Sequence, residues 1–150
     1  MRHGGLGFDC VVDASVGIKL FLVEPLSDRA DVLFGHLEDD PPARFYVPDL
    51  IFIECTNILW KYVRRFDYPT EAALQDIANL TRLPLRVAST STLAERALSL
   101  AVEHGGTAYD AAYVSLADRL SLPLVTADEL LVRRFASPRL DVRFLGDWPT

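Results

Sequence analysis

Cysteine is scarce in this chain: two in 150 residues, Cys10 and Cys55, each inside an apolar run, FDCVVD and FIECTNILW. They are too few for a disulfide scaffold and lack the spacing of a cysteine metal site, so both read as buried free thiols. The first residues, MRHGGLGFD, have neither the charged head nor the apolar core of a signal peptide, and together these features point to a cytoplasmic protein. Histidine is equally sparse. His3, His36 and His104 are scattered without zinc spacing, and the last two read as surface residues. No apolar run is long enough to cross a bilayer, because Asp49, Glu54 and Asn57 interrupt the most apolar stretch. Positive charge is also in short supply: 15 basic against 21 acidic residues give a net charge of -6, which does not advertise an anionic partner. The local basic groups, Lys61, Arg64 and Arg65 and then Arg133 and Arg134, read most simply as solvated helix ends.

What is present is apolar material, 50% of the chain, enough for one sizeable core but not for a second domain. The expected division is a glycine-rich tail over residues 1–7, one domain over 8–146 and a short tail over 147–150. Apolar strands alternate with helices: a strand near 8–13, helices over 14–23 and 26–38, and a strand at RFYV after the DDPPAR break. A long helix follows Pro48 and Asp49, and another, capped by Thr70, carries Leu74, Ile77 and Leu80. A strand at 84–88 leads to a helix over 91–103 that stops at Gly105 and Gly106. A helix over 108–120, the strand LPLVT, a short helix over 129–135 and a last strand at 141–145 complete the chain. Such alternation predicts an α/β fold, a central parallel sheet of about five strands between two helical layers, with ligands bound beyond the carboxyl ends of the strands.

Four acidic residues carry the chemical signal. Asp13 and Asp128 each end an apolar strand, in VVDAS and LVTAD, where helix capping is the plain alternative. Asp110 belongs to Thr107-Ala-Tyr-Asp110, which resembles a capping box, yet it opens a helix apolar nearly all round. Glu54 is the residue capping does not explain. It falls a turn inside a helix among Ile51, Phe52, Ile53, Ile58 and Leu59, where an ionised carboxylate needs a partner or a metal. Asn57, one turn on, is placed to orient Glu54, to hold a metal-bound water, or simply to make a buried hydrogen bond. Four converging carboxylates repel by roughly 4 kcal/mol per close pair at an intermediate dielectric, so a cation is expected among them, and all-oxygen ligation suits Mg2+ or Mn2+.

The ordered series VVDAS, Glu54-Cys-Thr-Asn57, YDAAYVSLA and LPLVTAD resembles the PIN-domain family over about residues 8–145, and in particular the VapC-like toxin ribonucleases of toxin–antitoxin modules. The resemblance implies a three-layer fold and an Mg2+ or Mn2+ pocket that hydrolyses RNA phosphodiester bonds. It aligns Asp13, Glu54, Asp110 and Asp128 with the family's acids and puts Ser15 and Thr126 at its small hydroxyl positions. It further implies a homodimer neutralised by a cognate antitoxin. The chain departs from the pattern in a late first strand and an acidic balance, neither of which touches the pocket. In the expected mechanism bound metal activates water for in-line attack on phosphorus, with Glu54 or Asp128 as the proton acceptor. One rival is a phosphatase with Asp13 as nucleophile, weakened because Ser15 stands where a second acid is needed. The other is a catalytically silent PIN-like binding module.

Overall fold

The computed structural model describes residues 8–149, and the tail expected over residues 1–7 lies outside them. In chain order the elements are β1 (Cys10–Val12), α1 (Ala14–Gly17), α2 (Ser27–Gly35), β2 (Phe45–Pro48), α3 (Leu50–Phe66), α4 (Thr70–Arg82), β3 (Arg86–Ala88), α5 (Ala94–His104), α6 (Ala108–Leu120), β4 (Leu124–Thr126), α7 (Glu129–Phe135) and β5 (Val142–Phe144). The strands form one parallel sheet in the order β3-β2-β1-β4-β5. β1 and β4 are buried along their whole length, which is why both are runs of apolar residues rather than alternating ones. Right-handed crossovers place α1 to α4 on one face and α5 to α7 on the other, with α6 lying directly on β1, β2 and β4 and α5 packed outside it. This is the expected three-layer α/β/α architecture. No helix among the described residues is long and apolar enough to cross a membrane.

Several local expectations are corrected. The helix expected over 14–23 ends at Gly17 and continues as a single 3-10 turn, Ile18–Leu20. Branched Val16 and Ile18 flank a glycine there, and none of the three favours helix. Thr70 begins α4 without capping it, and Leu74 is 67% exposed, because the buried stripe runs through Ala73, Ile77 and Leu80 instead. His36 and His104 are half-buried rather than on the surface: the first stacks on Phe8 and bonds Asp39, while Nδ1 of the second is 3.0 Å from the Arg134 carbonyl oxygen. The segment expected as a tail from residue 147 is tied down, since Trp148 is only 4% exposed and its carbonyl accepts from Arg29 at 3.0 Å. Cys10 and Cys55 are buried free thiols, as expected.

The strand order reverses direction between β1 and β4, and at such a switch point the crossovers diverge and leave a crevice at the strand ends. The register pairs Val11 with Leu124 and Val12 with Val125. The next residues along each strand, Asp13 and Thr126, are thereby set side by side at the rim.

Candidate active site

Asp13 is the most constrained of the four acids. It caps α1, its Oδ1 accepting from Val16 N at 3.2 Å and from Ser15 Oγ at 2.6 Å, and its Oδ2 accepting from Thr126 Oγ1 at 2.5 Å. Ser15 Oγ in turn accepts from Ala127 N at 2.9 Å, and Thr126 Oγ1 from Asp128 N at 3.1 Å. The two hydroxyls thus lace the end of β1 to the end of β4 and fix both oxygens of a carboxylate that is 5% exposed. Burial pushes the Asp13 carboxyl from its ordinary 3.8 up to about 6, against the pull of these donors.

Glu54 comes from α3, and its surroundings differ from those expected. The helix buries Ile51, Cys55 and Leu59, leaving Ile53 64% exposed and Glu54 half-buried on a face that opens to a cavity, not to the core. Its Oε1 accepts from the phenol of buried Tyr113 at 2.6 Å. Partial burial raises the Glu54 carboxyl, Asp110 adds to the rise, and the Tyr113 hydrogen bond opposes it. Tyr113 was absent from the sequence-based site. The signal was its place one turn after Asp110 in YDAAY, on the same helical face.

Asp110 stands half-buried in the first turn of α6, whose N-terminus is capped by Thr107 Oγ1, 3.1 Å from Asp110 N. Burial raises its carboxyl first and Asp128 second. Asp13 and Glu54 both feel the charge of Asp110, which makes this residue the electrostatic centre of the set. Asp128 is exposed, and it caps α7 by accepting from Leu130 N at 3.0 Å. The capping roles of Asp13 and Asp128 are therefore real and coexist with their position at the rim. All four acids line one cavity of about 600 Å³, together with Ser15, Asn57, Lys61, Tyr109 and Tyr113. Asn57 lies on this open face, not in a buried hydrogen bond. Thr126 stands behind Asp13 as its hydrogen-bond partner.

The cavity is open. Among the described residues no three His, Cys, Asp or Glu side chains form a ready-made metal cage. The donor chemistry nonetheless suits a hard divalent cation: every acidic group facing the cavity is an oxygen donor, and three of the four are harder to ionise than usual, a cost that a nearby cation reverses. A strongly hydrated ion that keeps several waters needs only one or two direct carboxylate contacts, which an open pocket supplies.

Residues 10–136 match the PIN domain. The chain belongs to the PIN domain family. A curated relative, Ribonuclease VapC3 from Pyrobaculum aerophilum, is 33% identical over 127 residues, which is 83% of this chain and 93% of the relative. Among solved structures, PAE2754 from Pyrobaculum aerophilum is similar with a TM-score of 0.70 and 26% identity, covering 92% of this chain and 91% of that one. The toxin VapC20 of Mycobacterium tuberculosis, 17% identical, shares the fold with a TM-score of 0.65 over 87% of this chain and 99% of its own. The acidic cavity of this PIN domain thus opens at the switch point of a five-stranded sheet in a fold shared with toxin nucleases.

Proposed function

We propose that this PIN domain is an endoribonuclease dependent on Mg2+ or Mn2+, the toxin of a toxin–antitoxin pair, acting as a homodimer that a cognate antitoxin holds inactive. The observation that carries the reading is the meeting of Asp13, Glu54, Asp110 and Asp128 on one cavity, in a chain one-third identical to a protein named a ribonuclease. Asp13, Glu54, Asp110 and Asp128 are the residues to hold the metal, which when bound lowers the pKa of water and neutralises charge on the phosphate. Ser15 and Thr126 keep both oxygens of Asp13 turned to fixed partners, so no reorganisation is needed when charge builds on phosphorus. Tyr113 holds one oxygen of Glu54 and leaves the other for a proton or a water. Asn57 offers an amide to a water at the same wall. Hydrolysis bonds the water oxygen to phosphorus and breaks the P–O bond to the leaving sugar oxygen; the water's proton passes to Glu54 or Asp128, and the leaving oxygen takes a proton from solvent to depart as a hydroxyl.

The test is cleavage of total RNA with Mn2+ and with EDTA. Discrete cuts that need Mn2+ are expected. The absence of metal-dependent cutting of any RNA would overturn the ribonuclease reading and leave a binding module. The phosphatase alternative is disfavoured by Ser15, which stands two residues after Asp13 where a second acid would be needed to protonate the leaving group.

A further inference from the structure

Around Glu54, the α3 wall of the cavity carries no other acid. Leu50, Ile53, Asn57, Ile58 and Lys61 all line it, recurring at three- and four-residue steps and so forming one stripe of α3. Lys61 lies about 10 Å along the helix axis from Glu54. That distance is the span of about three stacked nucleotides, or fewer when the bases are splayed. Tyr109, the residue before Asp110, lines the same cavity and is 63% exposed. Among the described residues no aromatic ring stacks on it, and no carboxylate pairs with Lys61.

Resting on the ribonuclease reading, we propose that Tyr109 and Lys61 form a nucleotide subsite beside the acidic centre, the Tyr109 ring stacking an unpaired base and Lys61 holding a phosphate of the same strand. The chemistry favours this occupant for two reasons. An open aromatic face accepts any unstacked base, whereas a duplex keeps its bases inside and presents only backbone and grooves. A chain of net charge -6, with one lysine against four acids in the cavity, has little phosphate neutralisation to draw on, so binding must lean on stacking. Stacking on Tyr109 tolerates every base, with a modest preference for purines, whose larger ring face overlaps more.

The test compares wild type with Tyr109→Ala, Tyr109→Phe and Lys61→Gln, all at exposed positions, so the folded state is checked by unchanged melting. Cleavage of a short unstructured RNA with Mn2+ gives kcat and KM, and fluorescence anisotropy of the same labelled RNA without metal gives binding. Tyr109→Ala should raise KM and weaken binding by about 5- to 150-fold with little change in kcat, and should erase the purine preference. Tyr109→Phe, which keeps the ring, should behave as wild type. Lys61→Gln should reduce the slope of log affinity against log salt by about 0.7. If RNA is cleaved but Tyr109→Ala leaves KM and base preference unchanged, the subsite is overturned and the nuclease stands. If neither this RNA nor total RNA is cleaved but binding falls in Tyr109→Ala and not in Tyr109→Phe, the subsite stands and the nuclease reading fails. Unchanged RNA binding with loss of a protein partner's binding would assign the ring to protein docking and overturn the proposal.

Discussion

Asp13 combines a capping role with a buried charge, and the two make opposite demands on pH. Its folded pKa, about 6, lies above its ordinary 3.8, so the folded state binds the proton more tightly than the unfolded chain. The stability this confers is complete below about pH 4 and is lost as pH rises through about 6, an amount on the order of 3 kcal/mol. In EDTA the melting temperature of wild type should therefore fall across that window relative to Asp13→Asn, whose curve lacks the titration; parallel curves would show that Asp13 is no harder to ionise than a surface acid. Glu54→Gln tests the same repulsion at a half-exposed site. The amide oxygen can still accept from Tyr113, so in EDTA at neutral pH the variant should melt slightly higher than wild type, by about 1 kcal/mol or less once solvent screening is allowed for, and Mn2+ should narrow or invert the difference. Asp110, at the electrostatic centre, is where loss of charge should cost most in chemistry. Asp110→Asn keeps the Thr107 cap and should fold normally while cleavage drops at least about a hundredfold. Near-normal cleavage would reduce Asp110 to a helix-end residue.

Among the elements, α7 depends on a contact that side-chain chemistry does not advertise. A Cβ on Gly106 would fall 2.6 Å from the ring of Phe135, and Phe135 is fully buried, so the ring cannot swing away. Gly106→Ala should destabilise by about 1 to 3 kcal/mol through overpacking, read as a lower urea midpoint. An unchanged midpoint would mean that α7 shifts freely against the loop between α5 and α6. The bounds of α6 and α7 were legible in the sequence because each has a clear start, Thr107 and Asp128, that also caps in the structure. The orientation of α3 was not. LIFIECTNILW is apolar on nearly every face, so periodicity alone could not say that Ile51, Cys55 and Leu59 point inward while Ile53 and Glu54 open to a cavity. Asp13 and Asp128 were expected from the ends of apolar strands, Asp110 and Glu54 from their places in apolar helices. Tyr113 escaped because an aromatic in an apolar helix looks like core until its hydroxyl is seen to reach Glu54 across 59 positions of sequence.

For the whole molecule, the C-terminal segment is structural. Trp148 is buried while its indole Nε1 has no hydrogen-bond partner among the described residues. Trp148→Ala should cost about 3 to 5 kcal/mol, whereas Trp148→Phe, which gives up no hydrogen bond, should cost under about 1.5 kcal/mol. Equal losses in thermal or urea unfolding would show that the indole N–H is satisfied in solution. The proposed homodimer predicts twice the chain mass in light scattering at micromolar concentration, and a monomer mass with no partner present would remove it. The strand order has a further consequence, in time. β1 is made first but occupies the middle of the sheet, and one of its flanks stays bare until residues 124–126 have been synthesised. An interrupted translation product ending before them holds Asp13, Glu54 and Asp110 yet lacks Thr126 and Asp128, so it can neither close the sheet nor assemble the pocket. With this topology the acidic cavity is complete only once β4 and Asp128 have been synthesised, so the proposed activity would arise after the layers around β1 and β2 have already been made.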